Sequence, residues 1–514
     1  MRASILLQCS ITLFRKTVTM PLHRKMKRDW LSQPKTEFLA GLVVALALIP
    51  EAIGFALIAG VDPQVGLYAS FSIAVITAIL GGRPGMISAA TAAVAVLVIP
   101  LVRDHGVEYL FAATVLMGVF QAIAGFFRLD LLMRFVSRSV ITGFVNALAI
   151  LIFMAQLPQL TGDNFKIETY AMVAAGLAII YLLPRLTKAV PSPLVAIVLL
   201  AGVSMYWVLD VSTVGDMGKL PSSLPMFHLP QIPLTLETLQ IIAPYAAAMA
   251  AVGLLESLLT ASIVDDMTET RSAKRQECYG QGVANFFTGF IGGMGGCAMI
   301  GQSVINIKSG GRHRLSTLFA GILLIILIVL LGPWVAAIPM PALVAVMIFV
   351  SISTFRWKSF TEITHHPKAS TAVMVATVIT VVATHDLAKG VLVGVLLSGI
   401  LFAAKVRNLV KTDTRLEGAT RHYMIGGEIF FGSVDIVTEA MEYGEEDVNA
   451  VVIDVTHAHF WDISATGVLD KVVARLQGEG KQVQVIGMNK ASATLVEKYS
   501  DNEKPFESLG VVGH

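Results

Sequence analysis

Fourteen apolar segments punctuate this chain, and they constrain its fold more than any other feature. They fall near residues 38–59, 64–80, 86–102, 108–127, 132–155, 168–184 and 192–209. After a long polar loop, a second set falls near 241–264, 278–293, 297–306, 315–332, 335–353, 369–384 and 388–405. About 20 apolar residues in a helix cross the hydrocarbon of a bilayer, and most of these runs approach that length. Only 14% of the 514 residues are charged, with mean hydropathy +0.72, whereas soluble domains carry about 25% charge. The chain reads as a polytopic α-helical membrane protein. Its three cysteines, Cys9, Cys278 and Cys297, are scattered without metal-ligand spacing, so neither a metal site nor a disulfide framework is expected. No nucleophile, metal cluster or phosphate loop marks an enzyme, and neither a cofactor nor a nucleic-acid partner is expected. His105, His457 and His459 have no partners at ligand spacing and receive no role.

Basic residues sort by loop. Arg83, Arg128, Arg185, Lys274, Arg312 and Arg356, among others, stand on one side, and alternate loops hold little more than Arg103, Lys166, Lys219 and Lys389. This bias sets both termini in the cytoplasm of a cell whose inner membrane holds the protein. The first twenty residues carry a short, interrupted apolar run without a cleavage site. They read either as part of a cytoplasmic tail over 1–36 or as lying upstream of a start at Met20. The transmembrane domain spans 37–408. Seven is odd, so the second group of seven is inverted relative to the first, and such repeats place binding sites at their interface near the midplane.

The third member of each group is too short or too broken to span. "SAATAAVAVLVIP" begins at Ser88, and "GFIGGMGGCAMIGQSVINIKSGG" covers residues 289–311. If both helices start near the midplane, their N-termini face each other, and free N–H groups with two dipole ends make an anion site. The alternative is that the small residues serve close helix packing alone.

Two carboxylates lie in hydrocarbon. Glu51 stands about 20 Å into the first segment at 1.5 Å per residue, and Glu256 occupies the matching segment of the second group. Intramembrane acids mark function by default, although either could be a packing acid bonded to Ser, Thr or backbone. Asp265 and Asp266 fall at the cytoplasmic end and are expected to be solvated. An anion about 10 Å from an ionised carboxylate is repelled by about 1.7 kcal/mol at an effective dielectric of about 20, more than tenfold in affinity. Protonating the acid, or pairing it with a cation, removes that repulsion and couples the two solutes.

From about Lys411 the composition changes. "RHYMIGGEIFFGSVDI" alternates like a strand pair, "NAVVIDVTHAHF" reads as a buried strand, and "SATGVLDKVVARLQG" as an amphipathic helix followed by a further strand and helix. Residues 411–514 therefore form a small cytoplasmic α/β domain.

The stretches "IPEAIGFALIAGVDPQVGLYASF", "LLESLLTASIVDD", "RQECYGQGVANFFTGFIGGMGG" and "SVINIKSGGRHRLSTLFAG" resemble the sulfate permease family of anion transporters from about Trp30 onward. The tail resembles that family's STAS domain. The resemblance implies a core and a gate domain, each drawn from both repeats, often in a homodimer. It implies substrate contacts from Phe55 and from Ala298, Ile300, Gly301 and Gln302; the two half-helix starts add Ser88, Ala89, Ala90, Thr91 and Met299, although "SAATAAV" departs from the family's more usual Gly-Pro-x-Ala pattern. Pro50, Glu51 and Phe55 match positions bordering substrate. Glu256 and Thr260 match an acid and a hydroxyl that bind sodium in bicarbonate-transporting members, with Ala298 and Ile300 where the remaining contacts fall. Gly301 and Gln302 match a serine and an arginine that hold anions in many exchangers. Glu51 replaces the usual Gln, Ile300 a hydroxyl residue and Gln302 an Arg; these departures point from sodium to the proton, with Glu51 and Glu256 as coupling acids. Ser464 in "WDISATG" matches a serine phosphorylated in anti-sigma antagonist relatives, and is expected here to cap the following helix.

The expected function is proton-coupled symport of a sulfate-like anion. Sodium-coupled bicarbonate or dicarboxylate transport, an anion channel or exchanger, and a scaffold whose STAS tail recruits a cytoplasmic partner stand beside it.

Overall fold

The computed structural model describes residues 30, 33–129, 131, 136–161, 166–186, 191–207, 209–365 and 367–499. The reading of residues 1–29 as a tail, or as preceding a start at Met20, lies outside the described residues. The chain divides into a unit up to Val395 and a unit from Leu396.

The first group of seven comprises α1 (Pro34–Ala59), α2 (Pro63–Leu80), β1 (Ser88–Ala90) with α3 (Ala92–His105), α4 (Val107–Phe126), α5 (Arg138–Met154), α6 (Ile167–Leu186) and α7 (Ser192–Trp207). The second comprises α8 (Leu236–Thr268), α9 (Lys274–Gly289), β2 (Gly296–Ala298) with α10 (Ile300–Lys308), α11 (Arg314–Ala336), α12 (Met340–Thr354), α13 (Lys368–Thr384) and α14 (Leu387–Arg407). Each expected segment has its element, and the third of each group is a strand followed by a helix. Among the described residues, nine helices are long and apolar enough to cross a membrane.

Helices α1, α2, α4, α8, α9 and α11 pack around the two strand–helix units, whereas α5, α6, α7, α12 and α13 pack on one another. These are the core and gate groups, each built from both repeats. Lipid offers no hydrophobic drive for helices to associate, so close backbone approach must supply the attraction. The α4–α9 crossing does this: a Cβ on Gly118 would stand 2.4 Å from the backbone nitrogen of Phe286. Polar ties add to it. Glu37 on α1, 1% exposed, accepts the N–H groups of Arg312, His313 and Ser316 at 2.8–3.2 Å and so caps α11. Asp265 differs from expectation. Its carboxylate is 18% exposed and pairs at 3.0 Å with the buried Arg83, which joins the loop before β1 to the end of α8. Asp266 is exposed.

The second unit contains a sheet in the order β3-β4-β5-β6, with β3 (Lys411–Glu417) antiparallel to β4 (Thr420–Ile429). Strands β5 (Ala450–Phe460) and β6 (Gln482–Ile486) continue it in parallel. The helix α15 (Val434–Glu439) connects β4 to β5 and α16 (Ile463–Gly478) connects β5 to β6, with α17 (Lys490–Tyr499) last. Tyr423, Ile453, Val455, Leu469 and Leu476 lie in its buried core. The strand pair expected within residues 421–436 is instead β4 followed by α15. The partner strand of β4 lies upstream, because the two-residue connection after Glu417 closes a hairpin there.

Ser464 does not cap α16. Asp462 does: its Oδ1 accepts from the Ala465 N–H at 2.9 Å and its Oδ2 from the Phe431 N–H at 2.8 Å. Aspartate caps as well as serine, and here the helix starts one residue before Ser464, which leaves that hydroxyl exposed on the first turn. Asp462→Ala is expected to destabilise this corner by about 1–2 kcal/mol, and Ser464→Ala by less than about 0.5 kcal/mol. Amide exchange at Ala465 and Phe431 in the full-length variants reads the difference.

Candidate functional site

The two short strands pair antiparallel, with Ser88 opposite Ala298, Ala89 opposite Cys297 and Ala90 opposite Gly296. Each strand runs straight into its helix, so α3 and α10 leave the pair in opposite directions with their N-termini turned toward one another. Thr91 and Met299 occupy the N-cap positions with extended backbone, and neither offers a side-chain cap. The first N–H groups of both helices therefore lack side-chain acceptors, which leaves two partial positive ends at the centre of the core group. Small residues permit the pairing. A Cβ on Gly296 would lie 2.0 Å from the Ala89 carbonyl oxygen.

Polar side chains from the surrounding helices hold the strands. Asn285 on α9 brackets Gly296, accepting its N–H at 2.9 Å and donating to its carbonyl at 3.0 Å; it also donates to Gln121 Oε1 at 2.9 Å. Ser257 accepts from the Ala298 N–H at 3.1 Å, and Gln281 donates to Ser88 Oγ at 2.7 Å. Ser303 accepts from the Ile87 N–H at 3.0 Å. None of these holding residues was singled out from the sequence. The available signal was the spacing of Glu277, Gln281 and Asn285, which at four-residue steps share one face of a helix and are all fully buried. Asn285→Ala leaves the Gly296 N–H and carbonyl unpaired in an apolar surround. A loss of about 2 kcal/mol is expected, visible as a lowered thermal unfolding midpoint of the purified protein.

Two acids lie against the helix tips. Glu51 follows Pro50, which cannot supply the helix hydrogen bond expected at its position, and its Oε1 accepts from Gln302 Nε2 at 2.8 Å. Gln302 is the third residue of α10 and is 1% exposed; its own Oε1 has no partner among the described residues. Glu51 thus reaches from the first repeat to the half-helix of the second. Glu256, 9% exposed, accepts from Cys297 Sγ at 3.0 Å, and that sulfur lies 3.2 Å from Thr91 Oγ1 at the tip of α3. A chain of three polar groups therefore joins the second-repeat acid to the first-repeat half-helix.

The remaining candidates fall into two sets. Phe55, Ser88, Ala89, Ala90, Thr91, Ala298 and Met299 are buried, and the Ser88 hydroxyl is turned to Gln281. Glu51 and Ile300 are half-buried and Gly301 is exposed with nothing within 4 Å of its Cβ position, so the tip of α10 opens to free space. Thr260 donates to the Glu256 carbonyl oxygen at 2.8 Å and lies 3.5 Å from the Ala298 carbonyl oxygen. One turn beyond Glu51 along α1, Gly54 and Ile58 line a crevice of about 50 Å³ whose far wall is Met340, Leu343 and Met347 of α12. Residues 51, 54 and 58 share one helical face, so Glu51 points along the boundary between core and gate.

A model of the sulfate permease family matches residues 35–174 and 163–377, and a STAS domain model matches residues 412–508. YbaR of Bacillus subtilis (strain 168) is 55% identical over 473 residues, covering 92% of this chain and 98% of that protein. The chain belongs to the sulfate permease family. The bicarbonate transporter BicA of Picosynechococcus sp. is 24% identical, with 90% of each chain covered. A solved structure of the murine solute carrier 26 family member A9 anion transporter, in the inward-facing state, superposes with a TM-score of 0.79 at 16% identity. It covers 92% of this chain and 88% of its own, and the fold described above is therefore shared with that transporter.

Proposed function

We propose that this protein is a secondary active transporter that carries a small anion, sulfate-like in charge and size, together with a proton. The gate group moves against the core group to expose the helix tips alternately to either side of the cytoplasmic membrane, with both termini on the cytoplasmic side. The contact between Glu51 and Gln302 carries this reading. A glutamine amide serves either charge state of the acid: its NH₂ donates to a carboxylate, and, turned over, its oxygen accepts from a carboxyl O–H. An arginine in the same place would serve only the ionised acid. Glu51 can therefore change charge beside the tip of α10 without losing its partner, and only the neutral form leaves the gap open to an anion. Glu256, tied through Cys297 to the opposite tip, is proposed as the second coupling acid. The substrate would lie against the exposed edge of Gly301 and Ile300, over the backbone of residues 88–91 and 298–302.

Proteoliposomes given labelled sulfate, bicarbonate or fumarate, with pH and sodium gradients imposed separately, test the reading. Accumulation driven by an inward proton gradient and absent with sodium alone is expected. Equal uptake with and without the pH gradient overturns it. Sodium-coupled bicarbonate transport is the second reading, favoured by the likeness to BicA and by the closeness of Thr260 and the Ala298 carbonyl. Against it, the Glu256 carboxylate is engaged by a thiol, and Ile300 offers no oxygen to a hard cation. In the tail, the exposed Ser464 is proposed as a phosphorylation site, where the helix N-terminus would favour the added charge.

A further inference from the structure

A second polar cavity lies within the gate group, away from the two helix tips. It occupies about 180 Å³ at the end where α5 and α13 begin. Two exposed arginines line it, Arg138 at the first position of α5 and Arg356 in the turn after α12. Arg356 Nη1 donates to Thr142 Oγ1 at 2.8 Å and its backbone N–H to Asn146 Oδ1 at 2.9 Å, which fixes that turn against α5. Among the described side chains, neither guanidinium has an acidic partner, and none that lines the cavity is acidic. Ser370 and Thr371, in the first turn of α13, face it from the other wall; α13 starts after Pro367 without a side-chain cap. Two guanidinium groups, two hydroxyls and the uncapped start of α13 give the cavity a positive field.

The surroundings indicate which anion belongs there. Beside Arg356, the rings of Phe355, Trp357 and Phe360 cluster with centroids 5.1 to 6.2 Å apart, and Trp357 and Phe360 remain 59% and 58% exposed. Such aromatics collect at the headgroup level of a bilayer. Ile363 and Met374 add an apolar part to the cavity wall. A free ion has no use for this rim, whereas a phosphate attached to a glycerol backbone and acyl chains does. We propose that the cavity binds the phosphate group of an anionic phospholipid drawn from the adjoining leaflet, clamping α5, the turn after α12 and α13 together.

The test uses full-length protein in neutral detergent, with thermal unfolding followed against short-chain phosphatidylglycerol, short-chain phosphatidylcholine and inorganic phosphate. Phosphatidylglycerol is expected to raise the midpoint at lower concentration than phosphatidylcholine, whose choline ammonium repels the arginines. Arg138→Gln should weaken the phosphatidylglycerol effect by about fivefold or more. The Arg138 side chain has no hydrogen bond among the described residues, so this change acts on the ligand rather than on the fold. Ser370→Glu tests the same cavity from the other wall by repulsion and should weaken it further. Inorganic phosphate producing the same Arg138-dependent shift, with phosphatidylglycerol adding nothing, overturns the lipid assignment in favour of a soluble oxyanion. Phosphatidylglycerol affinity unchanged in both variants overturns the site.

Discussion

Replacing Glu51 by Gln is expected to make anion uptake independent of pH and to abolish accumulation driven by a proton gradient. The substitution preserves shape and leaves an amide that can still pair with Gln302, so helix α1 should keep its place. What it removes is the titration. In the native chain, the acid is neutral below its titration range and an anion can enter. As external pH rises through that range, the carboxylate forms and about 1.7 kcal/mol of repulsion appears over about 10 Å at an effective dielectric of about 20. Native uptake should therefore fall more than tenfold as pH climbs, whereas the variant should give a flat profile with uptake stopping at equilibration. Uptake measured against external pH, with and without an imposed gradient, reads both effects. A variant that still accumulates substrate under a proton gradient would remove Glu51 from the coupling step and leave Glu256 to account for it.

Gly296→Ala is expected to cost most in folding. The new methyl group would sit 2.0 Å from the carbonyl oxygen of Ala89, a backbone atom of the opposing strand rather than the end of a flexible side chain. Relief requires the strands to part, which also displaces the Cys297 contact to Glu256 and the bracket from Asn285. A loss of about 3 kcal/mol is expected, together with at least about a tenfold fall in uptake, because displacing both helix tips by as little as about 1 Å suffices to disrupt bound geometry. Gly301→Ala supplies the contrast in stability: no atom lies within 4 Å of its Cβ position, and alanine favours the helix by up to about 1 kcal/mol. Thermal unfolding of the two variants side by side separates steric exclusion from mere loss of glycine. A Gly296→Ala protein as stable as the native one would mean that the strands tolerate separation.

The segment pattern was legible because lipid imposes a length and a composition on whatever crosses it, and neither depends on a partner. The interruption before α3 and α10 was legible for a related reason: runs such as "SAATAAV" and "GGMGGCAM" cannot fill a spanning helix. Glu51 stood out by its setting, and the structure brings it to the tip of α10. The groups that hold the strands were not legible as holding groups, since Asn285 and Gln121 find each other 164 positions apart, and no local pattern encodes such a pairing. The cavity at Arg138 and Arg356 escaped for the same cause: Arg356 appears in the sequence only as a mark of sidedness, and Arg138 carries no signal there at all. At Ser464 the difficulty was local. Asp462 and Ser464 both suit a cap, and helix starts shift by a residue or two before side chains decide between them.

The pairing of Ser88 with Ala298 also bears on the order in which the molecule is made. About 200 residues separate the two strands, and those residues form the helices α3 to α9. During synthesis, β1 and α3 must wait, unmatched, until the ribosome has delivered the second repeat. The centre of the protein thus cannot be completed before the second repeat begins, and a nascent chain arrested before residue 296 would hold its first repeat in the bilayer with the middle unfinished.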